Sequence, residues 1–479
     1  MPSNQQKLRT NQLTPNANKS FPIGTMLMVD DLYDRLGLSS VIRPMKAKGV
    51  DLDALTRALL AYKLGDNHSI LRAGEWLNSP AVLEQYQLKK FDQRALYRAV
   101  ELLGQHRDRI MEALQDAMLR LLDLPNTDVL LDWTSVVVWG RQASLAKRGY
   151  SRDGRLEERQ VTIGVAQLAP PLNLPIALTV QADNMNDCTH FQHTYAQARR
   201  VLCDDSLVIF DNGAASLENF RKIELDGNDY LTRMELTSST DKIYAAFGGD
   251  GWLLADEETC TFVKARVFPH SVNYYFRSGK LEMDQHASLL RRAQHELDDA
   301  KSIRQSLEDG KGLPKRFRCN NRLVDVEYSY QMKLGEMTDA EAVEFLMKER
   351  TTGREGCFIL ITNRKGVPAA DILSAYRAKD TVEKLIESLK GDLEVGPLRV
   401  HCDHAVDGVI LLSFLAQVLI SLTRVLCEPA RRMATKFVVL ALVRLTVTVE
   451  LLADGRRRRV YSNFNHVNRA ILARYLAET

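Results

Sequence analysis

DVLLDWTSVVVW occupies residues 128–139. Val and Leu dominate it, the composition of a strand lying inside a sheet. Asp132 breaks that pattern in the middle of the apolar run. A carboxylate there is costly to bury unless it is paired or holds a metal ion. The competing reading is that strand alternation turns Asp132 to solvent.

Outward from this stretch the same texture recurs. QVTIGVAQLA (160–169) and LPIALTVQA (174–182) read as two more strands, joined by the Pro-rich turn APPLNLP. Three strands in succession predict an antiparallel meander. A helix is expected over about 190–203, followed by the strand SLVIF (206–210). Asp211 closes that strand and opens a DNG turn, with Ser216 as the N-cap of the next helix. The carboxyl end of a strand is where α/β folds place ligands, although an Asp also initiates turns through its own side chain. NDYLTRM (228–234) and CFILITN (357–363) read as strands, and residues 368–393 as one strong helix.

Setting 237–356 aside leaves an order that matches a ribonuclease-H-like α/β domain: a meander continued by parallel strands with helical crossovers. The expected organisation is a flexible tail (1–21), a separate all-helical domain (22–127), a catalytic domain (128–236 with 357–425), a β-rich insertion (237–356) and a C-terminal helical region (426–479). The insertion holds short β-like pieces (TFVKARVF, VNYYFR, VDVEYSY) around a charged helix at about 283–307. Two apolar runs, 409–422 and 437–452, are shorter than the roughly 20 residues of a spanning helix. Both are read as buried helices, with no membrane partner.

A length of 479 residues implies two to four structural units. The net charge of +3 argues neither for nor against a nucleic-acid partner. Basic residues cluster instead at 141–159, at 311–322 and in the RRRR run at 456–459. That last run reads equally as a phosphate clamp or a basic surface turn. The seven Cys form no CxxC pair. They read as reduced thiols in a cytoplasmic protein without structural zinc. HCDH (401–404) and CTHFQH (188–193) lack the paired spacing of a zinc site and are read as surface or loop residues.

On a continuous 368–393 helix, Tyr376, Lys379, Glu383 and Lys390 fall within a wedge of about 60°. Glu387 shares that face, so periodicity leaves the two glutamates equivalent. The bland reading is a solvated charged face. Taken together, Asp132, Asp211 and Glu383 supply three carboxylates from two strands and a helix. Phosphoryl transfer on DNA needs an activated oxygen nucleophile and screening of phosphate charge, which two Mg²⁺ ions on carboxylates provide. Lys and Tyr beside such an acid suit sequence-independent phosphate contact.

At these residues the chain resembles the insertion-sequence transposases of the DDE class. Their last-helix signature is Tyr, two residues, Arg, three residues, Glu, six residues, Lys, and Tyr376, Lys379, Glu383 and Lys390 fit it. That register selects Glu383 over Glu387. LLDWTSVVVWG and VIFDNGAASLENF are similar to the family's first and second Asp motifs, and the likeness covers roughly 128–425. Lys379 stands where the family carries Arg, losing the planar bidentate grip on phosphate. Asn212 stands where many relatives have Arg. The resemblance implies a metal-dependent enzyme that cleaves DNA at the ends of a mobile element and joins them to a target. Asp132, Asp211 and Glu383 would be catalytic metal ligands for Mg²⁺, with Mn²⁺ as a substitute. Tyr376, Lys379 and Lys390 would touch phosphates. The expected partners are terminal inverted repeats, target DNA and a second copy of the chain, on the nucleoid when bound. The alternatives are a catalytically silent, transposase-derived DNA binder and a structure-selective nuclease of the same fold. Trp252, in the insertion, has two readings: a stacking partner for an extruded base, or a core residue.

Overall fold

A computed structural model describes residues 19–473 apart from 68, 125–126, 150–153, 156, 184, 248–249, 313–315, 320–321 and 326–327. The chain divides into two compact units: Met1–Cys203 with Asp380–Thr479, and Asp204–Lys379.

The first unit opens with β1 (Lys19–Pro22), α1 (Gly24–Arg35), α2 (Ser39–Ile42), α3 (Leu52–Gly65), α4 (Ile70–Leu77), α5 (Pro80–Gln85), α6 (Gln93–Gln105) and α7 (Arg107–Leu121). Side-chain caps start several of these helices. Asp51 accepts from the Asp53 and Ala54 N–H groups, and Asp92 from Ala95. Then come β2 (Val129–Val137), β3 (Gln160–Leu168), β4 (Pro175–Ala182) and α8 (Asp187–Ala198). The three strands form the expected antiparallel meander, with Asp132 opposite Val165 and Leu130 opposite Gln167.

The second unit holds β5 (Leu207–Phe210), α9 (Leu217–Leu225), β6 (Asp229–Met234), α10 (Ser238–Ala246), β7 (Leu253–Asp256), β8 (Thr261–Val267), β9 (Val272–Ser278) and α11 (Gly279–Glu308). It continues with β10 (Arg316–Cys319), β11 (Arg322–Asp325), α12 (Ser329–Glu336), α13 (Asp339–Arg350), β12 (Cys357–Thr362) and α14 (Ala369–Arg377). Ser216 caps α9 as expected, accepting from the Asn219 N–H. β5 and β6 pair in parallel across the α9 crossover. β12 departs from the expected parallel pattern. It runs antiparallel to both β6 and β9. The 237–356 segment is mixed rather than β-rich, because α11, α12 and α13 pack together on their own apolar cluster around Leu297, Leu334 and Leu346. Part of the VDVEYSY stretch lies outside the described residues.

The chain returns to the first unit with α15 (Asp380–Lys390), α16 (Asp403–Leu426), α17 (Thr435–Val443), β13 (Thr446–Leu451), β14 (Arg457–Ser462) and α18 (His466–Ile471). α16 is long and apolar enough to cross a bilayer by length and composition, yet 83% of its most apolar window is buried within the protein. α3 and α6 pack on it. At the α6 crossing Gly104 meets the His404 carbonyl and Gly408 the Val100 carbonyl, so the backbones approach with no Cβ between them. The N-terminal helices are therefore not a separate domain. A helix apolar on every side must be wrapped, and they wrap it. The 437–452 run is not one helix either: its second half, TVTVEL, pairs as β13 between β1 and β14. Alternating β-branched residues favour that extended state.

Candidate functional site

Register assigns the two faces of the meander. On one face the Trp133 indole N–H donates to Thr194 of α8 at 3.2 Å, and Gly164, opposite Trp133, leaves room for that ring. Thr179 links His190 and Thr194 at 2.9 and 2.8 Å. His190 is therefore a buried core residue of α8, not the surface or loop residue expected. Leu130, Asp132, Thr134 and Val136 take the opposite face by alternation. Gln167, opposite Leu130, donates from its side chain to Thr381 of α15 at 3.0 Å. α15 therefore covers the face that carries Asp132, and it packs on both β2 and β3.

α15 is held by Val382, Leu385 and Leu389, which are buried, while Glu383 and Glu387 are exposed. Its C-terminal Lys390 lines a small cavity with Ser135, Val136 and Arg155. The helix thus starts beside Gln167 and Leu130 and ends beside Val136. Leu130 to Val136 is about 20 Å of strand and Thr381 to Lys390 about 13 Å of helix. Asp132 and Glu383 both fall in the first third of those spans. Asp132 thus lies on the sheet face that α15 covers, and Glu383 lies on the exposed side of α15 near its start. Asp132 is half-buried, and its carboxylate accepts the Trp133 backbone N–H at 2.9 Å.

Asp211 lies in the other unit, exposed, directly after β5. Its carbonyl accepts the Ala214 N–H in the short turn over 212–214. Tyr376 is half-buried on α14, and Lys379 follows that helix at 7% exposure. The single expected helix over 368–393 is two helices, with Lys379 N–H bonding back to the Tyr376 carbonyl at 3.1 Å. That tight closure ends α14, and Asp380 starts α15 with an acidic first turn, the favourable sign at a helix N-terminus. The four-residue wedge is thus reduced to its α15 members: Glu383 and Lys390 still share a face, about 20° apart. Among the described residues no group of three or more His, Cys, Asp or Glu side chains is arranged to hold a metal ion. The donors present on the α15 side are nonetheless carboxylates, the hard oxygen ligands a divalent cation such as Mg²⁺ takes.

Other sequence signals resolve into structure. Arg456, Arg457 and Arg458 pair with Asp454, Glu84 and Glu450, and Arg459 reaches Gln85 at 3.5 Å, which favours the surface-turn reading of the RRRR run. Arg159 donates to the Gly140, Arg141, Ala143 and Ala146 carbonyls and ties its own loop. Side chains of the 311–322 cluster lie largely outside the described residues. Asp403 of HCDH accepts from Ser144 and from the Leu145 N–H. Trp252 stacks on Tyr244 and packs with Phe247, favouring its core reading, and Arg277 sits 4.7 Å over its ring. Cys188, Cys203, Cys260, Cys357, Cys402 and Cys427 are free thiols. Sequence reasoning missed the Gln167–Thr381 tie, which has no periodic or motif signal. It also missed that Arg155, within the 141–159 basic cluster, neighbours Lys390, a purely tertiary relation.

The chain is a mixed α/β protein, with Asp132 and Glu383 in the first unit and Asp211 in the second. A family model for the transposase DDE domain matches residues 124–419, and the chain belongs to that family. DDE transposases generally use divalent metal ions. No curated protein matches the chain. Among solved structures, a piggyBac transposase synaptic complex with hairpin DNA aligns at a TM-score of 0.41 and 8% identity, covering 88% of this chain and 79% of that one.

Proposed function

We propose that this protein is an active DNA transposase that cuts at the ends of a mobile element and joins the freed 3′ ends to target DNA. Its ribonuclease-H-like core would use Asp132, Asp211 and Glu383 as the metal-holding acids. The observation that supports the reading is that α15, which carries Glu383, packs over the strand that carries Asp132, within a region matched by the transposase family. Bound there, Mg²⁺ (or Mn²⁺) would activate the attacking oxygen and screen the phosphate. Asp132 is oriented by the Trp133 N–H and by a strand buried on both sides, so its carboxylate is held before any ligand arrives. Gln167 fixes the start of α15 through Thr381, two residues before Glu383. Lys390, on the Glu383 flank, is positioned to hold a backbone phosphate, with Tyr376 and Lys379 as further phosphate contacts. Two element ends must be held at once, so a dimer is expected in the DNA complex.

The test is cleavage and strand transfer on duplexes carrying the element's terminal inverted repeats, with Mg²⁺. Nicking at the ends followed by joining supports the proposal. Tight end binding without nicking in Mg²⁺ or Mn²⁺ identifies a silent DNA binder instead. Nicking without joining, indifferent to the repeats, identifies a structure-selective nuclease.

A further inference from the structure

α15 has a second flank. Thr381, Lys384 and Ser388 lie about 130° around the helix from Glu383, and they form one wall of a cleft closed by the end of α16 and the start of α17. The opposite wall carries Arg431, Arg432 and Lys436, all exposed. Unlike the arginines at 456–458, none of these three has a carboxylate within ion-pair distance among the described residues.

The cleft is built rather than incidental. Arg424 on α16 donates to the Met433 carbonyl at 2.9 Å and to the Thr435 hydroxyl at 3.0 Å, fixing the loop that presents the three cations. Ser388 hydrogen-bonds Thr435 and Gln417 at 2.9 and 3.0 Å across its floor. Asn173 also lines it, and its side-chain Oδ1 is buried with no hydrogen-bond partner. Glu387 and Asp392 are the opposing charges on the lining, and Lys384 is already paired with Asp380 at 2.6 Å. α17 begins here without a side-chain cap, so its first N–H groups add to the positive field.

We propose that this cleft binds backbone phosphates of a DNA strand, through Arg431, Arg432 and Lys436, a helix's width from Glu383. The proposal rests on the transposase reading and adds a contact on the far flank of α15. A strand crossing the exposed face of α15 would be gripped on both sides of the acid, which fixes its direction over the site. Contacts of this kind position without reading sequence.

The experiment is fluorescence anisotropy of the full-length protein on a labelled random-sequence 40-base-pair duplex (length about four helical turns), titrated across NaCl. The triple variant Arg431→Gln, Arg432→Gln, Lys436→Gln is compared with a charge-matched control, Lys280→Gln, Arg291→Gln, Arg292→Gln. Each lost phosphate contact lowers the log–log salt slope by about 0.9, so three contacts separate wild type and variant by ~40-fold over about 50 to 200 mM salt. The control should keep the wild-type slope. Equal slopes for all three proteins, with wild-type binding intact, overturn the cleft and leave the transposase reading standing. A wild type that does not bind the duplex at any salt removes both.

Discussion

The bare-backbone crossing of α6 and α16 gives the first unit a mechanical test. A Cβ added at Gly408 of α16 would stand 2.9 Å from the Val100 carbonyl carbon and 2.9 Å from its Cγ1, and would overlap the carbonyl oxygen. The obstacle is backbone of α6, so no rotamer relieves it. The helices must part by roughly 1 Å, and a gap of that size forfeits a quarter to a half of each dispersion contact along the seam. Overpacking of this kind costs about 1–3 kcal/mol, here toward the upper end. The gain in helix propensity from Gly to Ala returns about 1 kcal/mol. Gly408→Ala should therefore lose about 2 kcal/mol net. In urea that is a midpoint shift of about 0.7 M at a slope of about 3 kcal/mol/M. Intrinsic fluorescence is a suitable probe, because Trp76, Trp133 and Trp139 all lie in this unit. Gly65→Ala is the control: its Cβ would meet only the Thr25 hydroxyl at an ordinary 3.5 Å, and it should be neutral or stabilising. A Gly408→Ala midpoint equal to wild type would refute the argument that α6 and α16 need bare backbone at their crossing.

Burial pushes the Asp30 carboxyl up to about 7, because Arg57, its nearest cation, is shared with Asp34 and Asp53. Its folded value lies above its unfolded one, so its contribution is full below about pH 4 and is lost as pH rises to about 7. Unfolding free energy should fall by a few kcal/mol across that window, at most about 1.4 per pH unit, and Asp30→Asn should flatten the slope in denaturant titrations. Thr381→Val removes the Gln167 tie and should cost about 1 kcal/mol of stability. Misplacement of α15 by about 1 Å would lower the cleavage rate by up to ~100-fold. A variant with the stability loss but an unchanged turnover rate would show that the tie does not position Glu383.

How much of this was legible depends on whether a residue's role is local. β2, β3 and β4 were readable because their Val, Ile and Leu content is the content of a buried sheet, and Asp132 stood out against it. Ser216 was readable because a cap acts on its own next turn. The break between α14 and α15 was not, since no Pro or Gly interrupts 369–390 and the periodicity runs straight through Lys379. The wrapping of α16 by the N-terminal helices was also hidden. Their polar faces read like a free-standing bundle, and the partner that completes their core lies some 300 residues further on, as the Arg107–Asp407 ion pair illustrates. The choice of Glu383 over Glu387 came from family register alone, and both side chains are exposed on α15.

The central claim is therefore tested most directly by that pair of glutamates. End cleavage with Mg²⁺ should be abolished, by at least ~1,000-fold on the scale of lost electrostatic stabilisation, in Asp132→Asn, Asp211→Asn and Glu383→Gln. It should persist within a few-fold in Glu387→Gln. Cleavage that survives Glu383→Gln, or dies only with Glu387→Gln, would contradict the assignment of the acids.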